Sequence, residues 1–212
     1  MSPILHSGTR RIGLLGGSFN PAHLGHLHIS LEALKRLKLD EIWWLVSPQN
    51  PLKKAGDLAD YAVRFQHACA LAQHPRIRVL DLEARHQLFY TIDTIRFLQA
   101  RYRNTQFIWL MGADNLAGFH RWRNWREIAA RVPMAVLDRA PYGLKALHAR
   151  FATYARKARV SAAEAALLGE NPAPAWVYLS IPRHPLSATF LRKTLGKKAF
   201  IRHTAPNSRL EE

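Results

Sequence analysis

Residues 14–28 read Leu-Leu-Gly-Gly-Ser-Phe-Asn-Pro-Ala-His-Leu-Gly-His-Leu-His, and this stretch decides the fold of the chain. The apolar residues 12–15 are typical of a buried strand, and the pair Gly16 and Gly17 allows a sharp turn or a close approach to a ligand. From Leu24 onward, leucines recur at the spacing of one helix face. The pattern predicts a strand, a turn and a helix, the first unit of an open α/β sheet.

Two histidines lie in the first turn of this predicted helix. His23 and His26 are three residues apart on one face, beside free backbone N–H groups and the positive end of the helix dipole. Phosphate is the anion most often bound at such a turn, and imidazoles can donate hydrogen bonds to its oxygens. Two alternatives stay open: the pair could cap the helix, or could bind a metal with His28, although no complete zinc ligand set is evident.

Composition narrows the class of protein. The 212 residues fit one α/β domain, and 48% apolar content without a long apolar run argues against a membrane span. No signal peptide is evident, and the single Cys69, which we expect to be buried, excludes an internal disulfide framework, so we expect a cytoplasmic protein. The net charge of +16 indicates acidic partners such as nucleic acid, anionic lipid or phosphorylated small molecules.

Strand-like and helix-like patterns alternate along the chain. They predict a Rossmann-like α/β fold: a doubly wound, mostly parallel sheet of five or six strands, with helices on both faces. The ligand site should lie at the carboxyl edge, where the strand order reverses. The usual dinucleotide glycine pattern and the Walker lysine motif are absent, which argues against a dehydrogenase or a P-loop enzyme. The predicted strands are residues 12–15, 41–46, 77–80, 106–111, 132–137 and 176–181.

Polar side chains follow or flank several of these strands. Lys53 and Lys54 follow the second strand, in a loop that could also be merely solvated. Thr91 is a plausible helix N-cap, and Asp114, after a fully apolar strand, could accept ribose hydroxyls or cap a helix. Arg139 follows the fifth strand and could equally be a surface charge.

Two further segments are unusual. Residues 116–128 interleave three arginines with two tryptophans, a pattern compatible with single-stranded nucleic-acid binding or with one apolar helix face of Trp122, Trp125 and Ile128. Residues 144–168 read as a polar, basic helical stretch, interpreted as a solvated face.

A second helix start near the end of the chain could also bind an anion. Ser187 is a good N-cap, and Thr189 and Arg192 lie three residues apart on one face of the helix that it would begin. This start lies about 160 residues from the first one, and we expect the two to face one shared pocket.

Three motifs carry a resemblance to a known family. Gly-Gly-Ser-Phe-Asn-Pro followed by His23-Leu24-Gly25-His26 resembles the nucleotidyltransferase superfamily, and its Phe-Asn-Pro form resembles bacterial nicotinate-nucleotide adenylyltransferases. Met-Gly-Ala-Asp-Asn-Leu with the following Phe-x-x-Trp-x-x-Trp-x-x-Ile resembles a block of the same enzymes. Ser-x-Thr-x-x-Arg, ending at Arg192, resembles the superfamily's second signature, with Leu186 in place of an isoleucine. The resemblance spans nearly the whole chain.

This resemblance implies an activity: adenylyl transfer from ATP to nicotinate mononucleotide, giving nicotinate adenine dinucleotide and pyrophosphate in NAD biosynthesis. The mononucleotide phosphate would attack directly in line, with Mg²⁺ held mainly by the ATP phosphates and no metal site on the protein. Transfer to nicotinamide mononucleotide, and a basic nucleic-acid-binding module, are the alternatives. We expect no nucleic-acid or membrane partner, and an oligomer is compatible with the sequence.

The resemblance also implies roles for individual residues. Trp122 would stack on the pyridine ring, Thr91 would help to recognise the nicotinate carboxylate, and Lys53 stands where a histidine is usual. The catalytic residues would be His23, His26 and Arg192. The ATP site would comprise Gly16, Gly17, Ser18, Phe19, His23, His26, Ser187, Thr189 and Arg192, and the mononucleotide site Thr91, Asp114, Trp122, Lys53 and Arg139. Residues 1–196 would form the nucleotidyltransferase domain, and residues 197–212 a basic tail with the composition of a disordered segment.

Overall fold

The computed structural model describes residues 9–49, 58–138 and 143–182. Within them, seven strands form one sheet: β1 Arg10–Gly17, β2 Glu41–Val46, β3 Ile77–Leu80, β4 Thr105–Gly112, β5 Met134–Asp138, β6 Arg159–Val160 and β7 Trp176–Ser180. The α-helices are α1 Leu24–Arg36, α2 Tyr61–Leu71, α3 Leu82–Arg85, α4 Thr91–Arg101, α5 Ala113–Gly118, α6 Trp125–Arg131 and α7 Arg150–Tyr154.

The strand order is β3-β2-β1-β4-β5-β7-β6, and every pairing is parallel. The order reverses between β1 and β4, which are hydrogen-bonded neighbours in the middle of the sheet. The predicted Rossmann-like architecture is therefore confirmed, with all rather than most strands parallel. Six strands lie where the sequence pattern predicted them. The seventh, β6, has only two residues, too few to produce a pattern.

Side-chain alternation along the strands builds a core on each face of the sheet. In β2, Trp43 and Leu45 join one buried cluster with α4 and α6, while Trp44 and Val46 join the other with α1. Both faces are covered, so the strands read as nearly continuous apolar runs. Cys69, on α2, is half-buried. None of the helices in the described part of the chain combines the length and apolar character needed to cross a membrane.

The segment after β4 does not form one helix. α5 ends at Gly118, residues Phe119–Arg121 form a 3₁₀ turn, and Asn124 takes a left-handed backbone conformation, with φ of 52°, before α6 begins. Asparagine tolerates this conformation better than most residues because its short polar side chain hydrogen-bonds locally. Trp122 therefore lies outside α6, and the alternative in which Trp122, Trp125 and Ile128 form one helix face is wrong.

The predicted helical stretch 144–168 is also broken up. Around the five-residue α7, it contains the 3₁₀ helices Gly143–His148, Arg156–Ala158 and Ala162–Glu170, together with β6. Its basic side chains Arg150, Arg156 and Lys157 are exposed, as expected, whereas Phe151 is part of the core. The stretch is thus a covering layer for the β5–β7 side of the sheet and only partly a solvated face.

Candidate active site

The site begins where β1 ends. A Cβ atom on Gly16 would lie 2.6 Å from the Trp109 ring, so the close packing of β1 against this indole requires glycine there. A Cβ on Gly17 would meet Phe19 at an ordinary 3.5 Å. The two glycines, which the sequence pattern treated alike, therefore have different roles: Gly16 serves packing against β4, and Gly17 leads into the turn.

Phe19 organises the turn that follows. It is 1% exposed, lies 5.1 Å from the Trp44 ring and 4.7 Å from the His26 ring, and has a φ of 43°. A left-handed conformation costs a residue other than glycine about 1–2 kcal/mol. Burial of the whole aromatic ring offsets this cost, and it holds the loop against α1.

His23 and His26 are joined to each other at the start of α1. His23 is the N-cap, its backbone N–H donates to Nδ1 of His26 at 3.2 Å, and the N–H of His26 donates to the His23 carbonyl at 2.8 Å. The ring centroids are 3.9 Å apart. Because Nδ1 of His26 accepts a hydrogen bond, the proton of the neutral ring lies on Nε2, which can donate to a ligand.

The geometry of the histidine pair bears on its three interpretations: capping the helix, binding an anion and binding a metal. The pair does cap the helix, and capping leaves the Nε2 of His26 as the donor, so the capping and anion-binding interpretations are compatible. The first turn of α1 has no acidic residue to neutralise the helix dipole. His28 instead contacts the Pro182 carbonyl at 2.7 Å through Nε2. Among the described residues, no group of three or more His, Cys, Asp or Glu side chains could hold a metal ion.

Arg64, on α2, was not anticipated from the sequence. It is 2% exposed and donates to four backbone carbonyls: Ala59 at 2.9 Å, Ser18 at 2.6 Å, Ser47 at 2.8 Å and Pro48 at 3.0 Å. Burial lowers the pKa of its guanidinium from the ordinary value, although arginine stays charged in proteins. An arginine in the first turn of a helix is usually exposed, so sequence spacing contained no signal for this role.

The candidate mononucleotide residues lie around the ends of β4 and α4. Asp114 is in the first turn of α5, whose N-cap is Gly112, so the alternative reading of Asp114 as a cap is wrong. Trp122 is half-buried and packs edge-on against Trp109 at 6.0 Å. Thr91 is the first residue of α4, and Tyr90, not Thr91, is the N-cap.

Glu83, on α3, is a second residue that sequence reasoning missed. It is 6% exposed, and its Oε1 accepts a hydrogen bond from Thr94 Oγ1, on α4, at 2.9 Å. Burial raises the pKa of its carboxyl to about 7, against the lowering effect of side-chain hydrogen bonds with Thr94 and Ser47. Glu83 therefore ties the end of β2 to the helix that begins at Thr91.

The structure brings some of the predicted site residues to the same edge of the sheet. Gly17, at the end of β1, and Gly112, at the end of β4, each lie two residues beyond the last paired residues Leu15 and Leu110. The loop that leads to His23 and the helix α5 that carries Asp114 therefore leave adjacent strands at the same level of the sheet. Five predicted residues lie outside the described residues: Lys53, Arg139, Ser187, Thr189 and Arg192. The facing of His26 and Arg192 across one pocket thus stays a prediction.

The arginine and tryptophan segment does not have the form of a nucleic-acid surface. Trp125 is 9% exposed and packs against Phe119 and Phe151, so its faces are not accessible to bases. Arg126 lies over the Trp125 ring at 4.7 Å. These aromatic groups serve the core and intramolecular contacts, which weighs against the nucleic-acid-binding alternative.

Comparisons with known proteins show the family to which the chain belongs. A family model described as cytidylyltransferase-like matches residues 14–193. A Bradyrhizobium protein named "Probable nicotinate-nucleotide adenylyltransferase" is 52% identical over 88% of this chain and 97% of its own length. A protein of the same name from Methylorubrum extorquens is 52% identical over 86% of this chain and 98% of its own.

A solved structure supports the fold independently. The nicotinic acid mononucleotide adenylyltransferase of Plasmodium falciparum, complexed with NaAD, superposes with a TM-score of 0.66. The match covers 89% of this chain and 85% of that one at 18% identity, so it supports the fold alone. By the family match and by identity to its relatives over most of their length, the chain belongs to the cytidylyltransferase-like family and, within it, to the nicotinate-nucleotide adenylyltransferases.

Proposed function

We propose that this protein transfers the adenylyl group of ATP to nicotinate mononucleotide, producing nicotinate adenine dinucleotide and pyrophosphate for NAD biosynthesis. The observation that carries the proposal is the linked His23–His26 pair at the amino end of α1, beside the reversal of strand order. It occurs in a chain 52% identical to relatives named for this activity.

The substrate itself supplies the nucleophile. A phosphate oxygen of the mononucleotide forms a bond to the α-phosphorus of ATP while the bond from that phosphorus to the pyrophosphate oxygen breaks, and pyrophosphate departs with the electron pair. The protein's contribution is to align two polyanions and to stabilise charge on the leaving group.

His26 and the start of α1 are the proposed ATP-phosphate site. The Nε2 proton of His26 and N–H groups at the start of α1 would donate to phosphate oxygens, and His23 fixes the ring that donates. Three residues of the second signature, Ser187, Thr189 and Arg192, would complete the phosphate contacts. Their assignment is supported by the sequence motif.

The mononucleotide would bind on the β4 side. Trp122 would stack on the pyridine ring. Trp109 and Phe119 pack edge-on against the Trp122 indole and hold its plane in position for this contact. Thr91, at the amino end of α4, would help to recognise the carboxylate, and Asp114 would accept hydrogen bonds from the nucleotide. Lys53 and Arg139 would supply further positive charge.

Mg²⁺ would accompany ATP. The ion would be held mainly by the phosphates, with little ligation by protein. When bound, the ion would neutralise phosphate charge, while His26 and the α1 N–H groups orient the triphosphate. We assign the activity to the cytoplasm, in line with a chain that has a single cysteine.

The test is pyrophosphate release from ATP with each mononucleotide added separately. We expect turnover with nicotinate mononucleotide and slower turnover with nicotinamide mononucleotide, from which it differs by one carboxylate. Faster turnover with nicotinamide mononucleotide would show that this mononucleotide is the preferred substrate. Release with neither, together with salt-sensitive oligonucleotide binding, would favour the nucleic-acid alternative.

The role of His26 has its own test. His26→Ala should reduce kcat far more than it weakens mononucleotide binding, because the ring acts on the ATP phosphates and the leaving group. His28→Ala, which changes a histidine on the same helix facing Pro182, is the matched control and should retain turnover. Unchanged kcat in His26→Ala would remove the ring from the mechanism.

A further inference from the structure

Arg64 lies at the junction of three segments that are distant in sequence. Its guanidinium contacts the loop after β1 through Ser18, the residues after β2 through Ser47 and Pro48, and the start of α2 through Ala59. Four of its five N–H groups are used, all with carbonyl oxygens of the main chain. Because the acceptors belong to the backbone, the planar guanidinium sets the spacing of the chain itself.

Two further hydrogen bonds join the same segments. The Ser47 N–H donates to the Gly17 carbonyl at 2.9 Å, and the Ala59 N–H donates to Oδ1 of Asn20 at 3.1 Å. Arg64 and Asn20 are both buried. The end of β1 and the loop that leads to His23 are thus attached to the end of β2 and to the start of α2 at several points, one of which is the hydrogen bond from Arg64 to Ser18.

Ser47 extends this connection toward α4. Its carbonyl accepts from Arg64, its hydroxyl donates to the Gln49 carbonyl at 2.8 Å, and the same side chain interacts with the Glu83 carboxyl and lowers its pKa. Glu83 in turn accepts from Thr94, which lies one helical turn after Thr91. A series of polar interactions therefore runs from the loop preceding α1, through Arg64, Ser47 and Glu83, to the first turns of α4.

We propose that Arg64 is a positioning residue for adenylyl transfer, holding the ATP-phosphate loop at a fixed distance from the helix assigned to the mononucleotide. This inference rests on the proposed function, which gives the loop and the helix different substrates. In-line attack requires the two substrates to be aligned within a fraction of an ångström, and misplacement by about 1 Å can reduce the rate about 100-fold. A buried side chain that touches neither substrate can therefore control turnover.

The kinetic test uses Arg64→Lys and Arg64→Met. Lysine keeps the positive charge but cannot span four carbonyls, and methionine keeps only the apolar part of the side chain. The matched control is Trp176→Phe, which removes a buried hydrogen bond to the Ala155 carbonyl, 2.7 Å long, at the amino end of β7. Each variant is assayed at a temperature at which circular dichroism shows it to be folded.

We expect kcat to fall about 100-fold in Arg64→Met and somewhat less in Arg64→Lys, with smaller changes in both KM values. Trp176→Phe should lose thermal stability while its kcat stays within about 2-fold of the original protein. A folded Arg64→Lys with kcat within about 3-fold of the original would overturn the proposal. So would failure of both Arg64 variants to fold, since the role would then be purely structural.

Amide hydrogen exchange gives a readout that does not depend on activity. In Arg64→Lys, amide exchange should become faster in three segments together: residues 18–23, residues 45–49 and the first turns of α4. In Trp176→Phe, exchange in these three segments should not change. If the original protein releases no pyrophosphate, the proposed function fails, whereas the exchange experiment still decides whether Arg64 links these segments. Unchanged exchange in all three segments would refute the linkage.

Discussion

Replacing Glu83 with glutamine should make the stability of the protein less dependent on pH. Glu83 is buried and bonded to Thr94, and its pKa is raised to about 7 from an ordinary 4.5. Glutamine has nearly the same shape, can still accept the Thr94 hydrogen bond and does not ionise. The substitution therefore isolates the cost of keeping an ionisable group at this position.

The sign of the effect follows from which state binds the proton more tightly. Below pH 4.5 the carboxyl is protonated in both the folded and the unfolded chain, so its titration contributes nothing. Between pH 4.5 and about 7 the unfolded chain releases the proton while the folded one retains it, and stability falls as pH rises. Above pH 7 both forms are ionised and the loss has reached its full size.

The magnitude follows from the shift from 4.5 to about 7. At 1.36 kcal/mol for each pKa unit, the folded state should lose about 3 kcal/mol across this range relative to a chain without the group. Glu83→Gln does not lose this stability, because glutamine does not ionise. The free energy of unfolding of the variant, minus that of the original protein, should therefore increase by about 3 kcal/mol from pH 4.5 to pH 8.

Urea unfolding, followed by circular dichroism at pH 4.5, 6, 7 and 8, measures this difference directly. The control is Glu127→Gln, an exposed carboxylate whose pKa is lowered by hydrogen bonds from Arg131 and Arg96. Stability from a lowered carboxyl pKa is gained as the pH rises to about 4.5 and is complete above it. The difference between Glu127→Gln and the original protein should therefore stay nearly constant from pH 4.5 to pH 8. A difference between Glu83→Gln and the original protein that stays constant with pH would refute the burial argument.

Two further expectations concern the glycine pair and the proposed pyridine site. Gly16→Ala places a Cβ 2.6 Å from the Trp109 ring and should cost about 1–3 kcal/mol of stability, whereas Gly17→Ala meets only an ordinary contact and should be nearly neutral in thermal melts. Equal melting temperatures for the two variants would contradict this assignment of roles. Trp122→Ala should raise the KM for the mononucleotide roughly 5- to 150-fold, corresponding to a stacking energy of about 1–3 kcal/mol, and leave the KM for ATP nearly unchanged. Trp125→Phe, a core substitution, is the control. If it raised the KM for the mononucleotide as much as Trp122→Ala does, Trp122 would not be the stacking residue.

The local sequence determined the sheet and the start of its first helix. β2 and β3 begin and end at the residues predicted. In β2 the reason is that a strand buried on both faces is a nearly uninterrupted apolar run, whereas β3 lies at the edge of the sheet and exposes Arg78. The N-terminal position of His23 likewise follows from neighbours within a few residues, since a capping interaction spans only one helical turn. A reversal of strand order was expected from the alternation of strands and helices, whereas its position between β1 and β4 is known only from the structure.

Only the tertiary structure revealed the contacts that buried charged side chains make between these elements. Arg64 acquires its four carbonyl partners because three chain segments, separated by as many as 46 residues, meet around it, and nothing in the neighbourhood of position 64 distinguishes it from an exposed arginine. The carboxyl of Glu83 has a raised pKa because other segments bury it. Short-range periodicity reports which face of an element is apolar, whereas the partners of a buried charge depend on how distant segments pack together, and that information is contained only in the folded chain.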